Sequence, residues 1–164
     1  MRLLISLILL ATFVICHPTM GWSKELSNRL GMGYSNQFSE ELPSVAIRYY
    51  PDPKLAVGAA LGVDTLENSS KFGFMAKLYR IIFTEDNMNF YMGTSAGVIS
   101  IEQNSKTDSG FELSGYCGGE FFFTGLDNLG LSFEAGVGVT SIKSQVRFRT
   151  IGDHPLKAGI IFYF

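Results

Sequence analysis

The chain has 164 residues, among them 18 Gly, 14 Phe and 7 Tyr, and only 17% are charged. That is one domain's worth of sequence, and Gly-plus-aromatic richness without heptads or sustained helical periodicity favours an all-β architecture. A formal net charge of −2 with no basic run argues against a nucleic-acid surface.

Met1-Arg2 is a short basic start, and Leu3 to Cys16 is an apolar run of signal-peptide length, too short for a comfortable membrane-spanning helix. Pro18 follows, and Thr19 and Gly21 are small enough for the −3 and −1 cleavage positions. The expectation is a cleaved secretory signal peptide over residues 1–21 and one β-barrel domain over 22–164, with Ser23 as an alternative end point. Cys16 would suit a lipoprotein, but Phe13-Val14-Ile15 are bulky where a lipid-attachment box needs small residues. An uncleaved anchor is the other alternative. Without Cys16, Cys117 has no internal disulfide partner.

Eight alternating segments bounded by turn residues read as strands: 26–36, 43–50, 55–64, 71–83, 88–101, 110–123, 129–142 and 154–164. Pro51 to Lys54, Thr84 to Asn87 and Thr124 to Asn128 are compact turns. Asn36 to Leu42, Thr65 to Ser70, Glu102 to Ser109 and Lys143 to Asp153 are longer and more polar. Transmembrane barrels place short turns in the periplasm and longer loops outside, and an even strand count puts both termini on the periplasmic side. Val146, Phe148, Thr150, Gly152 and His154 stay in phase with Leu156, so the last strand could begin near Val146, with Ser144-Gln145 at a hairpin tip.

Side chains alternate between the two faces of a strand. Leu55, Val57, Ala59, Leu61 and Val63 oppose Ala56, Gly58, Ala60, Gly62 and Asp64; Phe111, Leu113, Cys117 and Phe121 oppose Glu112, Ser114, Tyr116, Gly118 and Glu120. One face is large and apolar, the other glycine, small polar and charged. A soluble barrel needs the reverse, with bulky apolar side chains inside. The polar phase carries Arg29, Arg48, Asp64, Lys77, Glu112, Glu120, Glu134 and Lys157. An Arg or Lys facing the bilayer midplane costs about 2–4 kcal/mol, so together these charges would consume the roughly 5–15 kcal/mol stability of a domain. Turned inward, four basic and four acidic groups can pair as a lumen charge network. Arg80 falls in the apolar phase, near a turn where it can snorkel, unless a bulge shifts the phase. Aromatics gather at strand ends: Tyr49-Tyr50, Tyr79 and Phe83, Phe90-Tyr91, Phe121 to Phe123 and Phe162 to Phe164 towards the turns, and Tyr34, Phe72, Phe111 and Phe148 towards the other rim. Two interfacial aromatic belts are expected of a membrane barrel.

The chain ends Lys157-Ala158-Gly159-Ile160-Ile161-Phe162-Tyr163-Phe164. Lys157, Gly159, Phe162 and Phe164 fill the defined places of a pattern that resembles the C-terminal assembly signal of bacterial outer-membrane β-barrels. In architecture the whole chain resembles a small eight-stranded Gram-negative outer-membrane barrel of the OmpA/OmpX type. The fold expected is therefore an all-β, eight-stranded antiparallel up-and-down transmembrane β-barrel. The resemblance implies a monomer integral to the outer membrane, with outer-membrane lipids, lipopolysaccharide and the barrel assembly machinery as partners.

For chemistry the sequence offers little. His154 is the only imidazole after the signal segment. Resemblance to outer-membrane enzymes that acylate or deacylate lipid A would imply a His–Ser pair with an acid, for which Ser141 or Ser144 and Asp153 or Glu102 are candidates. No signature of such a site is present, so no catalytic residue is assigned. No metal cluster is legible and no cofactor is expected; Glu40, Glu41, Asp64 and Glu67 read as solvated loop acids. Gly31-Met32-Gly33 and Gly136-Val137-Gly138 fit strand interiors, with no following helix to make a phosphate loop. The favoured expectation is a non-enzymatic structural or interaction protein with surface loops and a plugged polar lumen. The alternatives are a lipid-A-modifying enzyme using His154, a narrow pore, and a soluble exported barrel binding a small apolar ligand.

Overall fold

A computed structural model describes residues 26–36, 38, 40–143, 145–150 and 157–164. These form β1 (Leu30–Ser35), β2 (Ser44–Asp52), β3 (Leu55–Asp64), β4 (Lys71–Glu85), β5 (Met88–Gln103), β6 (Lys106–Phe122), β7 (Leu129–Ile142), β8 (Gln145–Thr150) and β9 (Lys157–Tyr163). Strands β1 to β7 each pair antiparallel with the next. β8 lies along Val137–Ile142 of β7, and β9 lies along Leu129–Glu134 of the same strand. The two therefore share one position, and β9 pairs onward with β1 to close the sheet. The result is an eight-position, antiparallel, up-and-down barrel. At its turn end lie the β2–β3, β4–β5 and β6–β7 connections and Phe164; the β1–β2, β3–β4, β5–β6 and β7–β8 connections lie at the loop end.

The face assignment follows the alternation read from sequence. Val45, Ile47, Val57, Leu61, Phe72, Phe74, Leu113 and Phe162 point outward and are exposed, while Arg48, Lys77, Glu112, Glu120, Glu134 and Lys157 point inward and none is more than 6% exposed. Arg80 stays outward, opposite Leu55 beside the β2–β3 turn. The bulge lies just past it, between Ile81 and Phe83, and leaves its phase unchanged.

Several expectations need correction. The first strand starts at Leu30, because Asn28 is left-handed (φ 60°) and the Arg29 amide closes a turn on the Leu26 carbonyl at 3.0 Å. Leu26 thereby turns inward and is buried at the turn end. Glu102–Ser109 is no loop. β5 and β6 run on to a two-residue hairpin whose Asn104 and Ser105 have φ of 52° and 63°, the doubly left-handed geometry that matches strand twist. Likewise Ile142 pairs Gln145 across another tight turn, so β8 begins at Gln145, near the start read from the Val146 phase. The signal segment 1–21, Cys16, Ser144, Asp153, His154 and the first part of the expected 154–164 strand lie outside the described residues.

The aromatic belts also need correction. Tyr50, Tyr79, Tyr91, Phe122 and Tyr163 are buried inside the barrel, while Tyr49, Phe83, Phe123, Phe162 and Phe164 remain outside. Adjacent residues on a strand must face opposite ways, so each aromatic pair or triplet splits. Four of the five inner rings carry a hydroxyl, while Tyr49 and most phenyl rings stay out.

Candidate functional site

The inward row of the turn half is a single polar and aromatic cluster. Arg48 on β2, Lys77 on β4, Glu120 on β6 and Glu134 on β7 converge from strands far apart in sequence. Arg48 Nη1 lies 3.0 Å from Glu120 Oε1, Arg48 Nη2 lies 3.7 Å from Glu134 Oε1, and Lys77 Nζ pairs with Glu134 Oε2. Tyr50 and Tyr163 hydroxyls donate to Glu120 at 2.8 and 2.6 Å, and the Tyr91 hydroxyl donates to Glu134 at 3.0 Å. Glu120 thus meets a cation and two phenol donors, and Glu134 meets two cations and one phenol donor. Buried ion pairs are tolerable only when their remaining lone pairs are satisfied in this way.

Aromatic faces complete the cation shells. The Arg48 guanidinium sits 4.2 Å from the Tyr79 ring centroid and 5.4 Å from that of Tyr91; Lys77 Nζ sits 4.3 Å from the Tyr116 centroid. Arg48 Nη1 finds no aligned acceptor despite its closeness to Glu120. Its contact there is ionic, and the ring faces supply the rest of its stabilisation. Tyr79, Tyr91 and Tyr116 meet edge to face at centroid distances of 5.2–6.5 Å.

Interior glycines make room for these groups. A Cβ at Gly93 would lie 2.5 Å from the Tyr116 ring, and one at Gly58 would lie 3.1 Å from the Tyr79 ring. The space they vacate is filled by phenol rings.

At the loop end, the segment between β1 and β2 folds over the mouth. Leu42 is wholly buried and Phe38 nearly so. A Cβ at Gly62 would meet Leu42 at 2.6 Å, and one at Gly73 would meet Phe38 at 2.7 Å. From the same segment, the Glu40 carboxylate accepts from Arg149 on β8 at 3.0 Å.

Of the eight charged residues expected in the lumen network, the structure joins Arg48, Lys77, Glu120 and Glu134 directly. Glu112 and Lys157 are buried in the same interior, towards the loop half. Arg29 instead lies at the turn-end rim, donating to Asn128 Oδ1 at 2.8 Å. Asp64 is exposed at the loop end, where it caps the Leu66 amide at 3.1 Å. In the terminal pattern, Lys157 and Gly159 point inward and Phe162 and Phe164 outward. Of the candidates for a hydrolytic site, Ser141 lies in the outward phase of β7, and Glu102 accepts from Ser70 Oγ at 2.7 Å. Ser144, Asp153 and His154 fall outside the described residues.

The sequence reading placed Tyr79 and Tyr116 in the polar phase but gave none of the five interior tyrosines, Tyr50, Tyr79, Tyr91, Tyr116 and Tyr163, a part in the charge network. A signal was available, since Tyr50, Tyr79, Tyr116 and Tyr163 share the phase of a charged residue on their strands and Tyr91 shares that of Asn89, Gly93 and Ser95. No protein-family model matches the chain, and no curated protein or solved structure is significantly similar to it. The geometry can neutralise buried charge, lock strands across the bore and fill the cross-section of the turn half.

Proposed function

We propose that this protein is an integral outer-membrane β-barrel with a non-enzymatic structural or interaction role and a plugged lumen. It belongs with the small OmpA/OmpX-type barrels in architecture, works as a monomer and keeps both termini periplasmic. The observation that carries the reading is the inversion of the barrel: apolar side chains line the outside while mutually paired charges fill the inside. In water that arrangement would expose a continuous apolar belt and bury ions, which is unfavourable on both counts. In lipid both terms reverse. Its partners are then membrane lipids, lipopolysaccharide at the loop end, and the assembly machinery that reads Phe162 and Phe164.

The test is membrane extraction combined with unheated electrophoresis. The protein should resist alkaline carbonate and urea, and its unheated band should migrate apart from the boiled one. Release into the soluble fraction would overturn the reading. A steady ohmic conductance from the purified monomer in planar bilayers would overturn the plug.

A further inference from the structure

The loop end holds a cavity of about 150 Å³ that the lumen network does not use, bounded by the β1–β2 segment and the tips of the β5–β6 and β7–β8 hairpins. The pairs Ile142↔Gln145 and Thr140↔Arg147 align β8 so that Gln145, Arg147 and Arg149 share its inward row. Lys143 stands at the turn. Three cations, Lys143, Arg147 and Arg149, therefore line this space against one carboxylate, Glu40, leaving the lining at +2.

The cations are not equally occupied. Lys143 Nζ pairs with Asp108 at 3.0 Å, and Arg149 Nη2 pairs with Glu40 at 3.0 Å. The Arg147 side chain lines the same cavity, and no ion pair or hydrogen bond joins its guanidinium to another described residue. Its guanidinium is a planar fork of donors suited to a tetrahedral oxyanion. The Thr140 hydroxyl and the Gln145 amide add neutral polar groups to the lining. Since a water takes about 30 Å³ of liquid volume, the space accommodates one phosphate-sized group with a few waters.

We propose that this cavity is a binding site for a phosphate-class oxyanion, held chiefly by Arg147 and Arg149, with Glu40 as the chain's own occupant that the arriving anion displaces. The anion is either free phosphate or the phosphate of a lipid headgroup. The site rests on the loop-end geometry and stands whether or not the outer-membrane reading holds.

The full chain is refolded into zwitterionic micelles and titrated with inorganic phosphate. In parallel it is placed in nanodiscs of a phosphate-free betaine lipid with and without phosphatidic acid. Binding is read by phosphorus NMR and by the amide shifts of Gln145–Thr150. Saturable binding in at least one arm is expected. The micelle arm saturates if free phosphate is the ligand; only the phosphatidic acid arm saturates if the headgroup is. Arg147→Gln should weaken binding on the order of tenfold, as expected for loss of a charge-assisted contact. Arg147→Lys, which keeps the charge but loses the fork, should weaken it less. Glu40→Gln should strengthen it. Arg147 is exposed, so these variants should keep the unheated gel mobility of the parent. Absence of saturation in both arms, binding indifferent to Arg147→Gln, or weaker binding in Glu40→Gln would each overturn the proposal.

Discussion

The two halves of the barrel interior are built on different principles. In the turn half, Arg48, Lys77, Glu120 and Glu134 are interlocked with three phenol donors, so that each buried charge depends on several others. In the loop half, the closure is a separate segment carrying Phe38 and Leu42, tied to β8 through the Glu40–Arg149 ion pair. The first arrangement cannot yield one piece at a time. The second can, because its stopper is a connection between strands. Stability thus resides at the turn end, and the capacity to respond to a ligand resides at the loop end.

That contrast can be broken most severely at Glu120. Glu120→Ala strips Arg48, Tyr50 and Tyr163 of a common partner and leaves a buried cation uncompensated, a change that costs about 3–5 kcal/mol. The urea midpoint for unfolding in micelles should fall accordingly, with a loss under about 1 kcal/mol speaking against the interlocked network. An intermediate effect is expected from neighbouring tyrosines on opposite faces. Tyr50→Phe removes a buried donor to a carboxylate, worth about 1.5–3 kcal/mol. Tyr49→Phe, whose exposed hydroxyl lies 3.4 Å from Asn28 Oδ1, should stay within about 0.5 kcal/mol. Equal losses at the two positions would erase the distinction between inner and outer rings. The smallest stability effect belongs to Arg149→Gln, because its partly exposed pair contributes about 0–1 kcal/mol. Its consequence should be local, with amide exchange accelerating at Glu40, Glu41 and Leu42 while β6 and β7 near Glu120 and Glu134 stay protected. Uniform acceleration through the barrel would show that the halves are not independent.

Much of this was legible in the sequence where burial imposes a pattern. Val57 against Gly58, or Phe133 against Glu134, announces two unlike environments, so strand faces and the barrel's inversion can be read directly. The β5–β6 tip was not legible. Glu102 to Ser109 projects where both faces are largely exposed, so alternation disappears and a strand pair resembles a loop. Arg29 and Asp64 carry the inward phase yet lie at the rims, because phase fixes a direction and says nothing of height along the barrel axis. The interior partners of Glu120 were hidden for a further reason. Tyr50 is 70 residues away in the chain, and only closure of the sheet through β1 and β9 brings β2, β6 and β9 to one cross-section.

The central claim, that the apolar face meets lipid and the charged face fills the bore, is tested most directly at Cys117, whose thiol lies exposed on the outer face of β6. With Cys16 replaced by Ser, the Cys117 thiol carries a small fluorophore, and the protein is reconstituted into vesicles. Quenching by lipids brominated along the acyl chain and protection from aqueous iodide is the result expected. Efficient quenching by iodide with indifference to the brominated lipid would contradict the account.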